Sequence, residues 1–119
     1  MALKRVILEM GHGNDMRGGD YTKAALRAVQ DAIHHSSLPF LRTLKVEPSS
    51  MQIEVTIGVQ KPERVDSAAV GASLPHGQVT VHVVKGGLDI PDDERGGASV
   101  IATAAIAVRF DLERHLGLE

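Results

Sequence analysis

Cysteine and tryptophan are absent from this 119-residue chain, and one tyrosine and two phenylalanines are its whole aromatic complement. The first absence excludes disulfides, thiolate catalysis and cysteine-bound zinc or iron–sulfur centres. The scarcity of aromatics leaves little on which nucleic-acid bases stack. An excess of positive charge is lacking as well. Thirteen Lys and Arg stand against 15 Asp and Glu, a formal charge of −2, and the two signs are interspersed along the chain, so it carries no electrostatic footprint for nucleic acid. No window approaches the roughly 18 apolar residues of a membrane span, and the apolar run within MALKRVILEM is too short for a signal peptide. The expectation is a cytoplasmic protein with neither nucleic acid nor membrane as partner.

What is present is an ordinary globular composition, 43% hydrophobic and 24% charged, in a length that fits one domain, residues 1–119. Residues 3–9, LKRVILE, read as a first strand. From Asp20 the period changes. Tyr21, Ala25, Ala28, Val29 and Ala32, with Ile33 beside them, share one face of a helix that Asp20 or Thr22 can cap, and whose alanines allow close approach to a sheet. His34-His35 follow, suited to its C-terminal dipole. LPFLRTLKV is ambiguous, a turn leading into a short strand. MQIEVTIGV alternates as a half-buried strand, with Met51, Ile53, Val55, Ile57 and Val59 on one side. Pro62 opens a second helix over about residues 62–73, with Val65, Ala68, Ala69 and Ala72 as its apolar face; Leu74-Pro75-His76-Gly77 ends it. QVTVHVV is a strand with Val79, Val81 and Val83 inward, stopping at Lys85-Gly86-Gly87. SVIATAAIAVRF is apolar on both faces and reads as a strand covered on both sides. The order implies an α+β two-layer sandwich, a mixed four- to five-stranded sheet with two helices on one face. A two-layer sheet leaves its other face open, which predicts a homo-oligomer.

The densest chemistry lies at residues 9–20, EMGHGNDMRGGD, read as a loop from the first strand to the first helix. Such a turn presents free backbone N–H groups and the positive end of the helix dipole. Its glycines allow close approach of a ligand, and Arg17 and Lys23 add positive charge. The spacing matches neither a dinucleotide fingerprint nor a Walker motif. Asp15 has several open roles: stabilising the turn, orienting Arg17, or serving as a base or metal ligand. His12 and Asp15 supply two of the three or four ligands a metal requires, so no metal and no cofactor are expected. Ser73, His76 and Asp89 or Asp66 can be written as a triad, but no G-x-S-x-G elbow supports it.

These residues carry a resemblance. GHGNDMRG resembles the N-terminal signature GxGxDxHG of a family of conserved hypothetical proteins found in bacteria and as a domain in plants. Gly11, Gly13, Asp15 and Gly18 match it, and TKAALRAV, HGQVTVHVVKGGL and the alanine-rich final segment extend the likeness along the chain. Arg17 stands where the family has histidine, so no role requiring a neutral imidazole transfers there.

Two shorter motifs are similar to a domain of ring-opening amidohydrolases, the cyanuric acid hydrolase and barbiturase group. These are Gly19-Asp20-Tyr21-Thr22-Lys23 and Val84-Lys85-Gly86-Gly87. That group sets three similar domains around a pseudo-threefold axis, each giving a serine and a lysine to a central site. The resemblance implies a trimer of this chain around such a site. Lys85 occupies the serine position, and Leu8 falls where the first-strand lysine is expected.

The functional expectation is a site for a small polar or anionic ligand, in a pocket between subunits. Its expected ligand contacts are Gly11, His12, Gly13, Asp15, Arg17, Gly18, Thr22 and Lys23, with Gly86 and Gly87 from the second turn. Two classes remain open. One is a hydrolase of a small cyclic amide with Asp15 and Lys85 as its catalytic pair; the other is a noncatalytic metabolite-binding or structural oligomer.

Overall fold

The computed structural model describes residues 3–34, 44–74 and 77–118. In chain order the elements are β1 (Lys4–Asp15), α1 (Tyr21–Ile33), a 3₁₀ turn at Pro48–Ser50, β2 (Gln52–Val59) and a second 3₁₀ turn at Pro62–Arg64. They continue with α2 (Ser67–Ala72), β3 (Gln78–Lys85), β4 (Leu88–Pro91), β5 (Ala98–Phe110) and the one-turn α3 (Leu112–His115). The five strands form one open mixed sheet in the order β1-β5-β2-β3, with β4 also on β5. β2 and β3 run parallel; β5 is antiparallel to β1, β2 and β4.

The last segment, expected to be covered on both sides, is covered by helices on one face only: on the other, Ile101 and Ala105 are half-buried and Thr103 is exposed. One edge of β5 pairs along its length with β1, from Lys4↔Phe110 to Asp15↔Val100. Its other edge is shared, β2 taking Thr103–Arg109 and β4 taking Ala98–Ile101. It is therefore the central strand, and Val100, Ala102, Ala104, Ile106, Val108 and Phe110 are buried beneath the helices. α1 packs on β1 and β5 and α2 on β3, on the same face. The α1 stripe of Tyr21, Ala24, Ala25, Ala28, Val29 and Ala32 is buried, as are Met51, Ile53, Val55, Ile57 and Val59 of the β2 segment. The architecture is the expected α+β sandwich, with a third, one-turn helix added.

Several boundaries differ from the sequence reading. β1 does not end at residue 9 but runs to Asp15, because Gly11 and Gly13 are packing residues of the strand. A Cβ on Gly11 would lie 2.5 Å from the Ala32 backbone N, and one on Gly13 would lie 2.4 Å from the Ala28 N. Glycine on the strand and alanine on the helix thus let the two backbones touch. The expected helix over 62–73 is divided: a 3₁₀ turn, then a restart where the Asp66 side chain accepts from Ala69 N at 3.1 Å. The restart turns Val70 into the core and leaves Ala68 and Ala72 exposed. Asp20 alone caps α1, accepting from Lys23 N at 3.0 Å. β4 was not expected: its four residues are too few to show a period. Most of the ambiguous segment 38–46, His35, and the Pro75 and His76 of the proposed helix stop and triad lie outside the described residues.

Candidate functional site

The two halves of the glycine-rich stretch do different work. Asp15 ends β1 with its side chain turned under the start of α1, and it is the one buried charged side chain among the described residues. Its Oδ2 accepts from Asp20 N at 2.8 Å, closing the turn Met16–Gly19. Gly18 and Gly19 shape that turn: a Cβ on Gly18 would meet Asp15 Oδ2 at 2.9 Å, and Gly19 has φ +59°. The carboxylate is held by the fold it organises.

Beyond this turn, β1 is an edge strand whose backbone α1 side chains reach over to satisfy. His12 N donates to Asp31 Oδ2 at 3.0 Å, and Arg27 Nη1 donates to the Asn14 carbonyl at 2.5 Å. The same guanidinium lies 3.6 Å from Asp15 Oδ1. Capping an exposed strand edge with charged groups opposes its pairing with another strand. It also builds a cleft of about 660 Å³ between β1 and α1, lined by His12, Gly13, Asn14, Asp15, Met16, Arg17, Lys23 and Arg27.

The electrostatics of the cleft follow from its pairings. Arg27 is committed to Asp15 and Asn14, and His12 Nδ1 lies 3.9 Å from Asp31 Oδ2. Among the described residues, the side chains of Arg17 and Lys23 make no ion pair or hydrogen bond. The cleft therefore presents positive charge that no described residue pairs. No three of its described His, Asp and Glu residues converge in a metal-like group.

Of the expected contacts, His12, Gly13, Asp15, Arg17 and Lys23 come together here. The others do not. Gly11 is packed beneath α1 and Gly18 lies against Asp15. Thr22 faces the second 3₁₀ turn, its Oγ1 accepting from Asp66 N at 2.9 Å and donating to the Arg64 carbonyl at 3.4 Å. Lys85 closes β3 at the opposite edge of the sheet, three strand spacings or about 14 Å from β1. Gly86 and Gly87 form the turn from β3 to β4, clasped by Gln60 Nε2 through their carbonyls at 2.9 and 3.3 Å. A Cβ on Gly87 would meet the Ile101 carbonyl oxygen at 2.1 Å. Asp15 and Lys85 of one chain are thus not a pair. Asn14, Met16 and Arg27 were missed as lining residues; the signal for Arg27 was its i, i+4 spacing from Lys23 on the solvent side of α1.

A second polar cluster stands behind the turn. The Tyr21 hydroxyl donates to Asp89 Oδ2 of β4, and the Arg64 guanidinium lies 5.4 Å from the centre of the ring. Burial foremost, then the hydrogen bond to Asp89 and its negative charge, push the Tyr21 phenol above its ordinary pKa, while Arg64 acts in the opposite direction.

Fold and site together define an open-faced α+β sandwich with a basic cleft along its edge strand. The chain belongs to a family described as "Conserved hypothetical protein (Lin0512_fam)", whose model matches residues 5–108. It is similar to a solved structure, an FtsZ-like protein of unknown function from Nostoc punctiforme. The two share 38% sequence identity with a TM-score of 0.80, over 93% of this chain and 98% of that one. No curated protein matches.

Proposed function

We propose that this protein binds a small anionic or polar ligand, carrying a carboxylate or a phosphate, in the cleft between β1 and α1, as a noncatalytic module. The observation that carries this reading is the placement of Arg17 and Lys23, both without an ion pair among the described residues, beside the committed Arg27 in one cleft. Charge-assisted hydrogen bonds from such groups are the strong ones in anion recognition. The engagement of Asp15 with Asp20 N favours binding over catalysis, because a general base must be able to reach its substrate. A hydrolase of a cyclic amide would need Lys85 of a second copy at the cleft. The outer face of the sheet, with Leu8, Met10, Val84, Leu88 and Ile90 exposed, supports association into a homo-oligomer, and we extend the reading to an intersubunit pocket. A cytoplasmic setting suits a chain without cysteine; among the described residues no helix is long and apolar enough to cross a membrane.

The test is calorimetric titration with inorganic phosphate and with a short dicarboxylate, alongside incubation with a cyclic imide. Wild type binds at least one of the anions, and the double variant Arg17→Ala/Lys23→Ala weakens that binding by about tenfold or more. Lys85→Ala leaves it unchanged. Equal binding by wild type and the double variant would remove the cleft from consideration. Ring-opened product that disappears in Lys85→Ala would establish the hydrolase instead.

A further inference from the structure

Asp89, Val100 and Asp15 lie side by side in one row across β4, β5 and β1. Val100 is buried, and the two aspartates flanking it grip consecutive residues at the start of α1. Asp15 Oδ2 takes the backbone N–H of Asp20, and Asp89 Oδ2 takes the hydroxyl of Tyr21. The strand that brings Asp89 here is weakly held: β4 spans four residues, pairs only with β5 among the described residues, and leaves Leu88 and Ile90 exposed. The tip beyond it is self-contained. Asp92 N donates to the Gly97 carbonyl, Asp92 Oδ1 accepts from the N–H groups of Glu94 and Arg95, and neither Gly96 nor Gly97 has a neighbouring atom where a Cβ would stand.

We infer that Asp15 and Asp89 form a two-point clamp on the start of α1, through which the β4–β5 hairpin acts as a strap whose seating sets the position of the Met16–Asp20 turn walling the cleft. A second link runs the same way, since Ser99 Oγ, at the base of the hairpin, donates to the Met16 carbonyl at 2.9 Å. The seated state is also poised. Asp89 Oδ1 is buried without a hydrogen-bond partner among the described residues, so one bond to Tyr21 holds a carboxylate whose other oxygen penalises burial. Asp89 is a positioning residue in this scheme, moving the cleft wall without touching what the cleft holds. The clamp stands apart from the ligand reading; only its consequence for affinity rests on it.

Backbone amide exchange in the intact chain tests the strap directly, because local opening appears as fast exchange confined to one cooperative unit. In Asp89→Ala, exchange across residues 88–90 and at the Asp20 amide accelerates together, by about tenfold or more, while residues 53–57 and 104–108 keep their wild-type rates. Tyr21→Phe cuts the same bond from the helix side and gives the same pattern. Acceleration at 88–90 alone would overturn the coupling. No change at either segment, or uniform acceleration through the central strands, would overturn the strap itself. None of these outcomes depends on a ligand, so a wild type that binds neither phosphate nor dicarboxylate leaves the clamp standing and removes only the proposed function.

Discussion

Gly11 and Gly13 on one side, and Gly18 and Gly19 on the other, belong to a single run of sequence and solve opposite problems. The first pair removes matter: their missing side chains let β1 lie against the backbone of Ala24, Ala28 and Ala32. The second pair wraps the chain around a buried carboxylate, leaving space for Asp15 Oδ2 and supplying the positive φ of Gly19. A seam between two backbones cannot yield, whereas a turn built around a side chain can. The difference also explains the cleft, which lies between the seam and the turn.

The largest expected effect breaks the seam. A Cβ at residue 13 would stand 2.4 Å from Ala28 N and 2.6 Å from the Ala24 carbonyl oxygen, both backbone atoms of α1. Gly13→Ala must therefore displace the helix, at or above the upper end of the roughly 1–3 kcal/mol typical of overpacking. In Gly18→Ala the added methyl meets the end of a side chain, Asp15 Oδ2 at 2.9 Å, and the loss is smaller. Urea titrations of the two variants measure both. Equal losses would erase the distinction between seam and turn.

How much of this was legible in the sequence depends on whether a local pattern determined it. The helical stripe of α1 and the alternation of β2 and β3 were legible, because periodicity follows from burying one face. The length of β1 was not. Gly-x-Gly reads as a loop unless the alanines of α1 are recognised as its complement, and that pairing is a tertiary fact. The same gap separates the cleft from the expectation that Gly86, Gly87 and Lys85 share it. Two glycine-rich turns look alike in sequence, but Lys85 ends β3 at the sheet edge opposite β1, and Gly87 lies against Gly58 and Ile101, with β5 between it and β1. Arg17 and Lys23 line the cleft because it lies at the strand-to-helix position that suggested them; Arg27, one helical turn further on, has no local pattern that ties it to β1.

A middle-sized effect sharpens the account of the turn. Asp15→Ala removes the acceptor for Asp20 N and leaves Arg27 without its carboxylate partner. The expected loss is roughly 1–3 kcal/mol, the cost of leaving a partly buried hydrogen-bonding group unmade, read as a lower urea midpoint with an unchanged slope. A neutral or stabilising change would mean that Asp15 is maintained against the interest of the fold, as functional residues are, and would return it to the list of reacting groups.

The smallest effect concerns Tyr21, the residue at which the turn passes into α1. Its phenol is held in the neutral form chiefly by burial, then by donation to Asp89 and by that carboxylate's charge. Folding therefore retains the proton that an unfolded chain releases near the ordinary tyrosine value of 10.0. The contribution to stability is complete below that pH and is lost as pH rises through the higher folded value. With a single tyrosine and no tryptophan in the chain, ultraviolet absorbance titration reports this group alone. The native midpoint should lie above the one measured in urea. Asp89→Asn keeps an acceptor but removes the charge, and should bring the native midpoint part of the way down, since burial remains. Coincident native and unfolded midpoints would show that the hydroxyl is solvated and that the helix start is held by Asp15 alone.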